Sequence, residues 1–272
     1  MKSSSEVPVD ADDQPRVTVE RDGHVLLIGL NRVAKRNAAD LRMLRELSLA
    51  YGLLDRDPEL RAGLLFAHGE HFTAGLDLGD VSSAITEEGL DVVPEGGIDP
   101  WQVHGQVLRK PMVMAVQGTC LTLGVELALA SDIVISAKTT RFGQMEVRRG
   151  ILPFGGATIR FPAQVGWGNA MRWMLTGETF DAPEALRIGL VQEIVINTQV
   201  YNRAFDLAHR IADQAPLAVQ ATLANARLAV REGREAAEKA LQPELVRLMT
   251  SEDAAIGLQS FQARGEASFV GR

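Results

Sequence analysis

One cysteine, Cys120, is all that this chain of 272 residues contains. An internal disulfide is therefore impossible, the fold depends on its core, and a reducing cytoplasm is the expected setting. Cys120 lies in an apolar run, which predicts a buried, inert thiol rather than a nucleophile. No apolar run approaches the roughly 18 residues needed to cross a bilayer. The first fifteen residues, MKSSSEVPVDADDQP, lack the basic start and apolar centre of a secretory signal and are expected to form a loose tail. There is no G-x-x-x-x-G-K-[ST] and no G-x-G-x-x-G after a strand, which excludes a P-loop and a dinucleotide fingerprint. No H-E-x-x-H occurs, and HGEH at 68–71 has a glycine where a helix would be needed, so no metal site is expected. Lys and Arg are missing between Arg61 and Arg109. Glu70, Asp77, Asp80, Glu87, Glu88, Asp91, Glu95 and Asp99 all fall there and read for the most part as a solvated acidic loop. With a net charge of −7 and a pI near 5.3, the chain is a poor match for nucleic acid or an anionic membrane.

What is present has the balance of an ordinary globular protein, 46% hydrophobic and 23% charged, long enough for one large domain or two modest ones. Residues 16–30 place apolar and β-branched runs on either side of Asp22-Gly23 and predict a hairpin. After the loop NRVAKRNAA, Asp40 stands as N-cap to a helix in which Leu41, Leu44, Leu47, Tyr51 and Leu54 recur at helical spacing. AGLLFA (62–67) predicts a buried strand, PMVMAVQG (111–118) a second, LTLGVELALA (121–130) a helix and DIVISA (132–137) a third strand. DAPEALRIG (181–189) carries an Asp cap, a Glu three residues later and a terminal Gly, the marks of a short helix. VQEIVI (191–196) is the last strand pattern, and residues 197–263 read as helix alone. Alternating strands and helices mean an α/β fold.

Between Thr119 and Ser131 the only charged residue is Glu126, set among Leu, Val and Ala. An unpaired buried carboxylate is so costly that it must find a partner, take up a proton or have a task. Two turns near it carry further interest. In EHFTAGLDLGD, backbone N–H groups beyond Ala74-Gly75 are placed to face a ligand. In GTCLTLGVE, a helix beginning near Leu123 leaves its first N–H groups unpaired. These are either two ordinary turns or, converging on one oxygen, an oxyanion hole. A second carboxylate, Glu146, lies in RFGQMEVRRG, where Arg148 and Arg149 are available to pair with it. Two carboxyls near an oxyanion hole are the equipment for moving protons at carbon beside a carbonyl.

In order along the chain, NRVAKRNA, HFTAGLDL, KPMVMAVQG, LTLGVELALASDI, TRFGQMEVRRGILPFGGA, TGETFDAPEALRIGLV and SFQARGEASFVGR resemble the motifs of the crotonase, or enoyl-CoA hydratase/isomerase, family. The resemblance runs from Arg16 to the C-terminus. It implies a tail over 1–15, a crotonase-like spiral of ββα units over 16–196, and a helical region over 197–272 that assembles trimers, often paired as hexamers. The ligand it implies is a coenzyme A thioester, with no cofactor beyond the coenzyme A of the substrate and neither nucleic acid nor membrane as partner. Carried over by position, the N–H groups of Leu76 and Leu123 hold the thioester oxygen, and Glu126 and Glu146 are the catalytic carboxyls. Lys35, Arg36 and Ala38 wrap the coenzyme, Ala74, Asp77 and Leu78 lie along it, and Phe261 and Arg264 meet its adenine and phosphate end.

Departures from the family pattern are visible too. Thr122-Leu123-Gly124 stands where hydratases carry a run of glycines, so Leu123 is expected to keep its N–H while its side chain narrows the acyl pocket. Phe154 replaces a common glycine, and Gly265 stands where a second basic residue often follows. Both carboxyls being present favours hydration of a 2-enoyl-CoA. Double-bond isomerisation or thioester hydrolysis on the same fold, a non-catalytic acyl-CoA binder and a purely structural oligomer are the alternatives.

Overall fold

The computed structural model describes residues 14–86 and 89–272. The expected tail lies outside them apart from Gln14 and Pro15, as do Glu87 and Glu88 of the acidic stretch. In chain order the first strands are β1 (Val17–Asp22), β2 (Val25–Leu30), β3 (Ala62–Ala67), β4 (Ile85–Thr86), β5 (Gly89–Leu90) and β6 (Met112–Val116). They are followed by β7 (Thr119–Leu121), β8 (Ile133–Ala137), β9 (Arg141–Gly143), β10 (Thr179–Asp181) and β11 (Glu193–Val195). Helices α1 (Leu41–Arg56), α2 (Leu78–Val81), α3 (Leu123–Ala130), α4 (Ala157–Val165), α5 (Trp167–Thr176) and α6 (Ala182–Ile188) alternate with them. The chain then continues as α7 (Val200–Ala212), α8 (Pro216–Glu232), α9 (Arg234–Met249) and α10 (Glu252–Ala263).

β1 and β2 form the expected hairpin, turning at Gly23, whose φ of 53° suits a residue without Cβ. From β2 onward the main sheet is parallel, in the order β1-β2-β3-β6-β8-β11. Side chains alternate across it. Leu26, Ile28, Leu65, Met112, Met114 and Val134 enter one core with α1 and α3, while Val25, Leu27, Leu64, Val113, Ala115 and Ile135 enter another beneath α7. Burial on both faces is why these strands read as continuous apolar runs. α7 approaches closely because Val200, Ala204, Ala208 and Ala212, four residues apart, present a narrow face to the strands.

The predicted caps are in place. Asp40 accepts from Met43 N at 2.8 Å, Asp181 accepts from Glu184 N at 3.0 Å, and Gly189 closes α6 with φ 86°. Glu184 itself turns to Arg187 (2.6 Å) instead of back toward its cap. The parallel run 111–118 is shorter than expected, since β6 ends at Val116 and the chain turns at Gly118 (φ 60°) into the three-residue β7. β7, β9 and β10 form a second, smaller sheet. Isolated bridges, Thr73 to Cys120 and Ala39 to Leu76, carry that ladder back to earlier turns of the chain. Each turn of the spiral thus runs along the large sheet, then briefly along the small one, then into a helix or loop.

Candidate active site

The small sheet delivers two backbone segments side by side. Thr73 N donates to Thr119 O (2.9 Å) and Leu121 N to Thr73 O (3.1 Å), which locks the two chains together. Beyond this rung they diverge. Gly75, at φ 102°, packs directly on the Thr122 side chain and has no room for a Cβ. Leu76 bridges Ala39 through its neighbours, with Ala39 N donating to Gly75 O (2.8 Å) and Asp77 N to Ala39 O (2.9 Å). In an extended chain alternate N–H groups point to opposite sides, so that of Leu76 points away from Ala39, toward the Thr122 side. Among the described residues no acceptor takes the N–H of Leu76 or that of Leu123, the first residue of α3. Thr122, between them, has φ 49° and ψ −109°, a conformation that strains a β-branched residue by about 1–3 kcal/mol.

α3 is buried on nearly every side, which explains its uniformly apolar sequence. Glu126 is only 2% exposed and its Oε1 accepts from Ala157 N, the first residue of α4, at 3.2 Å. Burial pushes its pKa up to about 8. The negative charge of Glu146 adds to the rise, while the N–H groups of Ala157 and Gly155 and the cation of Arg160 oppose it. Gly155 backs this carboxyl so closely that a Cβ there would sit 2.6 Å from Glu126 Oε2.

Glu146 begins a single 3₁₀ turn after β9, closed by Gly150 at φ 75°. It is 6% exposed; Oε1 accepts from Gln144 Nε2 at 2.8 Å, and Oε2 has no partner among the described residues. The expected alternative of pairing with Arg148 or Arg149 does not occur: Arg148 reaches Gly177 O instead. Desolvation pushes the Glu146 carboxyl up to about 7, partly offset by backbone N–H groups of Met145 and its own residue. Both carboxyls therefore titrate near neutral pH, where each is available in protonated and ionised form.

Lys35, Arg36 and Ala38 share one surface with Ala74, Asp77 and Leu78. Ala74 N donates to Arg36 O (2.9 Å), and Arg32, a residue the sequence reading passed over, bonds both Ala38 O (2.9 Å) and Asp77 (2.7 Å). Asp77 is therefore committed to Arg32, whose cation holds its carboxyl below the ordinary range. Buried Asn37 pins the same loop, donating to His68 O and His71 O and accepting from Arg32 N. His68 and His71 bond Thr18 and Thr119 N in their turn. Phe261 is 81% exposed on α10, and Arg264, at its C-cap, forms no ion pair among the described residues.

Two expectations need correction. Leu123 is 3% exposed and packs in the main core, so its side chain does not stand open over an acyl pocket. Asp99 is not a solvated charge: it is buried and accepts from the N–H groups of Trp101, Val103 and His104. Cys120 is fully buried as expected, which raises its pKa well beyond the ordinary thiol range and leaves it inert. Trp101, Gln144, Gly155 and Ala157 were missed as neighbours of the carboxyls. Of the six buried side-chain polar atoms without a partner among the described residues, three, Trp101 Nε1, Gln144 Oε1 and Glu146 Oε2, lie around this one place. Such clustering marks a site that expects a ligand.

A spiral that sets two unpaired backbone donors beside two proton-holding carboxyls is built for acid–base chemistry on a carbonyl compound. The family model for enoyl-CoA hydratase/isomerase matches residues 20–272. An enoyl-CoA hydratase of Mycobacterium tuberculosis is 31% identical over 262 residues, covering 95% of this chain and 97% of that one. A short-chain-enoyl-CoA hydratase of Clostridium acetobutylicum is 36% identical over 207 residues, 75% of this chain and 78% of the other. The crystal structure of a probable enoyl-CoA hydratase/isomerase from Mycobacterium abscessus superposes with a TM-score of 0.92 at 59% identity, over 94% of this chain and 99% of that chain. The chain belongs to the enoyl-CoA hydratase/isomerase (crotonase) family and has its fold.

Proposed function

We propose that the protein is an enoyl-CoA hydratase, a lyase that adds water across the 2,3 double bond of a 2-enoyl-CoA thioester. The observation that carries this reading is the pair of buried carboxyls, Glu126 and Glu146, both raised to titrate near neutral pH, beside the unpaired N–H groups of Leu76 and Leu123. The hydratases among its relatives support it. In the proposed step the thioester oxygen accepts from both N–H groups. In the protonation state with Glu126 ionised and Glu146 protonated, Glu126 takes a proton from water as the water oxygen bonds to C3. The C2=C3 electron pair moves toward the thioester as an enolate, which collapses as Glu146 delivers its proton to C2. One oxyanion donor is worth about 3–4 kcal/mol of barrier, so the backbone pair carries the larger share.

The zipped surface of 32–38 and 74–78 is suited to the coenzyme, with exposed Lys35 and Arg36 for its phosphates. Asp77 there acts through Arg32 by fixing the loop. Phe261 and Arg264 are proposed to reach a coenzyme bound to a neighbouring copy. Consistent with assembly into trimers or hexamers, α8–α10 leave Val230, Leu241, Val246, Met249 and Leu258 exposed. The proposed setting is the cytoplasm; among the described residues no helix is long and apolar enough to cross a membrane.

Single-turnover hydration of crotonyl-CoA tests the reading. Glu126→Gln and Glu146→Gln are each expected to fold, bind ester and lose about 10²- to 10⁴-fold in rate, with the double variant far less than multiplicatively worse. Near-parental hydration by either single variant removes that residue from the mechanism. Parallel assays for double-bond migration and free thiol separate isomerase and thioester hydrolase.

A further inference from the structure

Trp101 is 5% exposed, and among the described residues its indole N–H has no acceptor. A buried donor left without a partner is destabilising, and phenylalanine would pack without that cost. The position of the ring is informative. A Cβ on Gly155 would lie 2.9 Å from Trp101 Cδ1 and 2.6 Å from Glu126 Oε2, so the Cδ1 edge of the indole and the carboxylate flank the same point. Nε1 is bonded to Cδ1, so the free donor lies one bond from that edge. Phe154 closes the outer side, edge-on to the indole with ring centroids 6.1 Å apart.

The loop that carries Trp101 is bolted to both elements that hold Glu126. Asp99 gathers three of its N–H groups, that of Trp101 at 3.0 Å. Gln102, in the left-handed region at φ 53°, donates through Nε2 to Ala130 O at the end of α3 (2.9 Å). Arg160, one turn into α4, donates to Gln102 O at 2.8 Å. α3 supplies Glu126, and α4 supplies the N–H on which its carboxyl rests. Indole and carboxyl are thus fixed relative to each other by two independent ties.

We infer that the indole N–H of Trp101 holds the oxygen that is added at C3, first as the water beside Glu126 and then as the 3-hydroxyl of the product. The water then accepts from Trp101 and donates to Glu126, and its remaining lone pair faces C3. The same donor gives the site a preference for a 3-hydroxyacyl thioester over a saturated one. This rests on the hydratase reading, and the two can fail separately.

The test compares affinities for 3-hydroxybutyryl-CoA and butyryl-CoA, which differ only in the oxygen at C3, in the parent and in Trp101→Phe. The variant is expected to bind the hydroxy ester about tenfold more weakly and the saturated ester within twofold of the parent, and to hydrate crotonyl-CoA about tenfold more slowly. Equal loss for both esters, or no loss for either, overturns the inference and leaves the ring a packing group. A parent that binds neither ester overturns the hydratase reading and this inference together. A second measurement needs no variant at position 101. In the parent labelled with ¹⁵N at tryptophan, the indole resonance that remains after excluding those lost in Trp167→Phe and Trp173→Phe belongs to Trp101. It is expected to move downfield with the hydroxy ester and not with the saturated one; an identical response to both overturns the assignment.

Discussion

Replacing Gly155 with alanine adds one methyl group at a point with no space for it. The new Cβ would lie 2.6 Å from Glu126 Oε2, 2.9 Å from Glu126 Cδ and 2.9 Å from Trp101 Cδ1, where ordinary contact starts at 3.4 Å. Relief therefore requires a retreat of about 0.8 Å by the carboxylate if the ring holds its place. The ring is the stiffer of the two, because its loop is tied at Asp99, Ala130 and Arg160. The φ of Gly155 lies outside the left-handed region, so the methyl acts by collision alone. Misplacing a reacting group by about 1 Å costs about 10²-fold in rate, and overpacking a core costs about 1–3 kcal/mol. The expected result is a folded Gly155→Ala protein with kcat for crotonyl-CoA hydration about 100-fold down and KM within a few-fold of the parent, since the coenzyme surface is untouched. Gly168→Ala, with nothing within 4 Å of its added methyl, is the matched control and should leave kcat unchanged. A folded Gly155→Ala protein with kcat within about threefold of the parent would refute the placement of Glu126 at the reacting centre.

Glu126 and Glu146 are raised from 4.5 to about 8 and about 7, so the folded protein keeps protons that the unfolded chain releases above about pH 4.5. Their contribution to stability is full below 4.5 and is lost as pH rises toward 8, so melting temperature should fall across that window. Glu126→Gln should flatten the fall; an unchanged slope would show that the carboxyl is not buried as described. Leu123→Ala should cost about 2–4 kcal/mol in denaturant unfolding and leave the acyl-chain profile as it was, because the side chain belongs to the core and the N–H remains. A shifted chain-length preference at parental stability would reverse that assignment.

The features legible in the sequence are those written in local spacing. The caps at Asp40 and Asp181, the parallel strands with apolar residues on both faces, and the anomaly of Glu126 in an apolar helix could all be read from windows of a dozen residues. β7, β9 and β10 could not, because three residues are too few to show a period. The surroundings of the carboxyls were hidden for a different reason. Glu126 rests on Ala157, thirty-one positions away, and Asp99 takes its three donors from within its own loop, a pattern that periodicity does not register. Arg148 and Arg149 offered Glu146 a surface ion pair as the alternative to a catalytic role, and only its burial excludes that alternative; Leu123 was expected to line a pocket, and burial places it in the core.

The divergence of the small sheet beyond Thr73 has an architectural consequence. At Thr73 the two strands of the small sheet are stitched by backbone bonds; at Leu76 and Leu123 the stitching stops, with two donors that no acceptor among the described residues takes. In the proposed complex the thioester oxygen supplies that acceptor, so the substrate serves as one more rung of the protein's own ladder. Affinity for the carbonyl and the cohesion of two successive turns then become a single quantity: whatever tightens the grip on the ester also draws the coils of the spiral together.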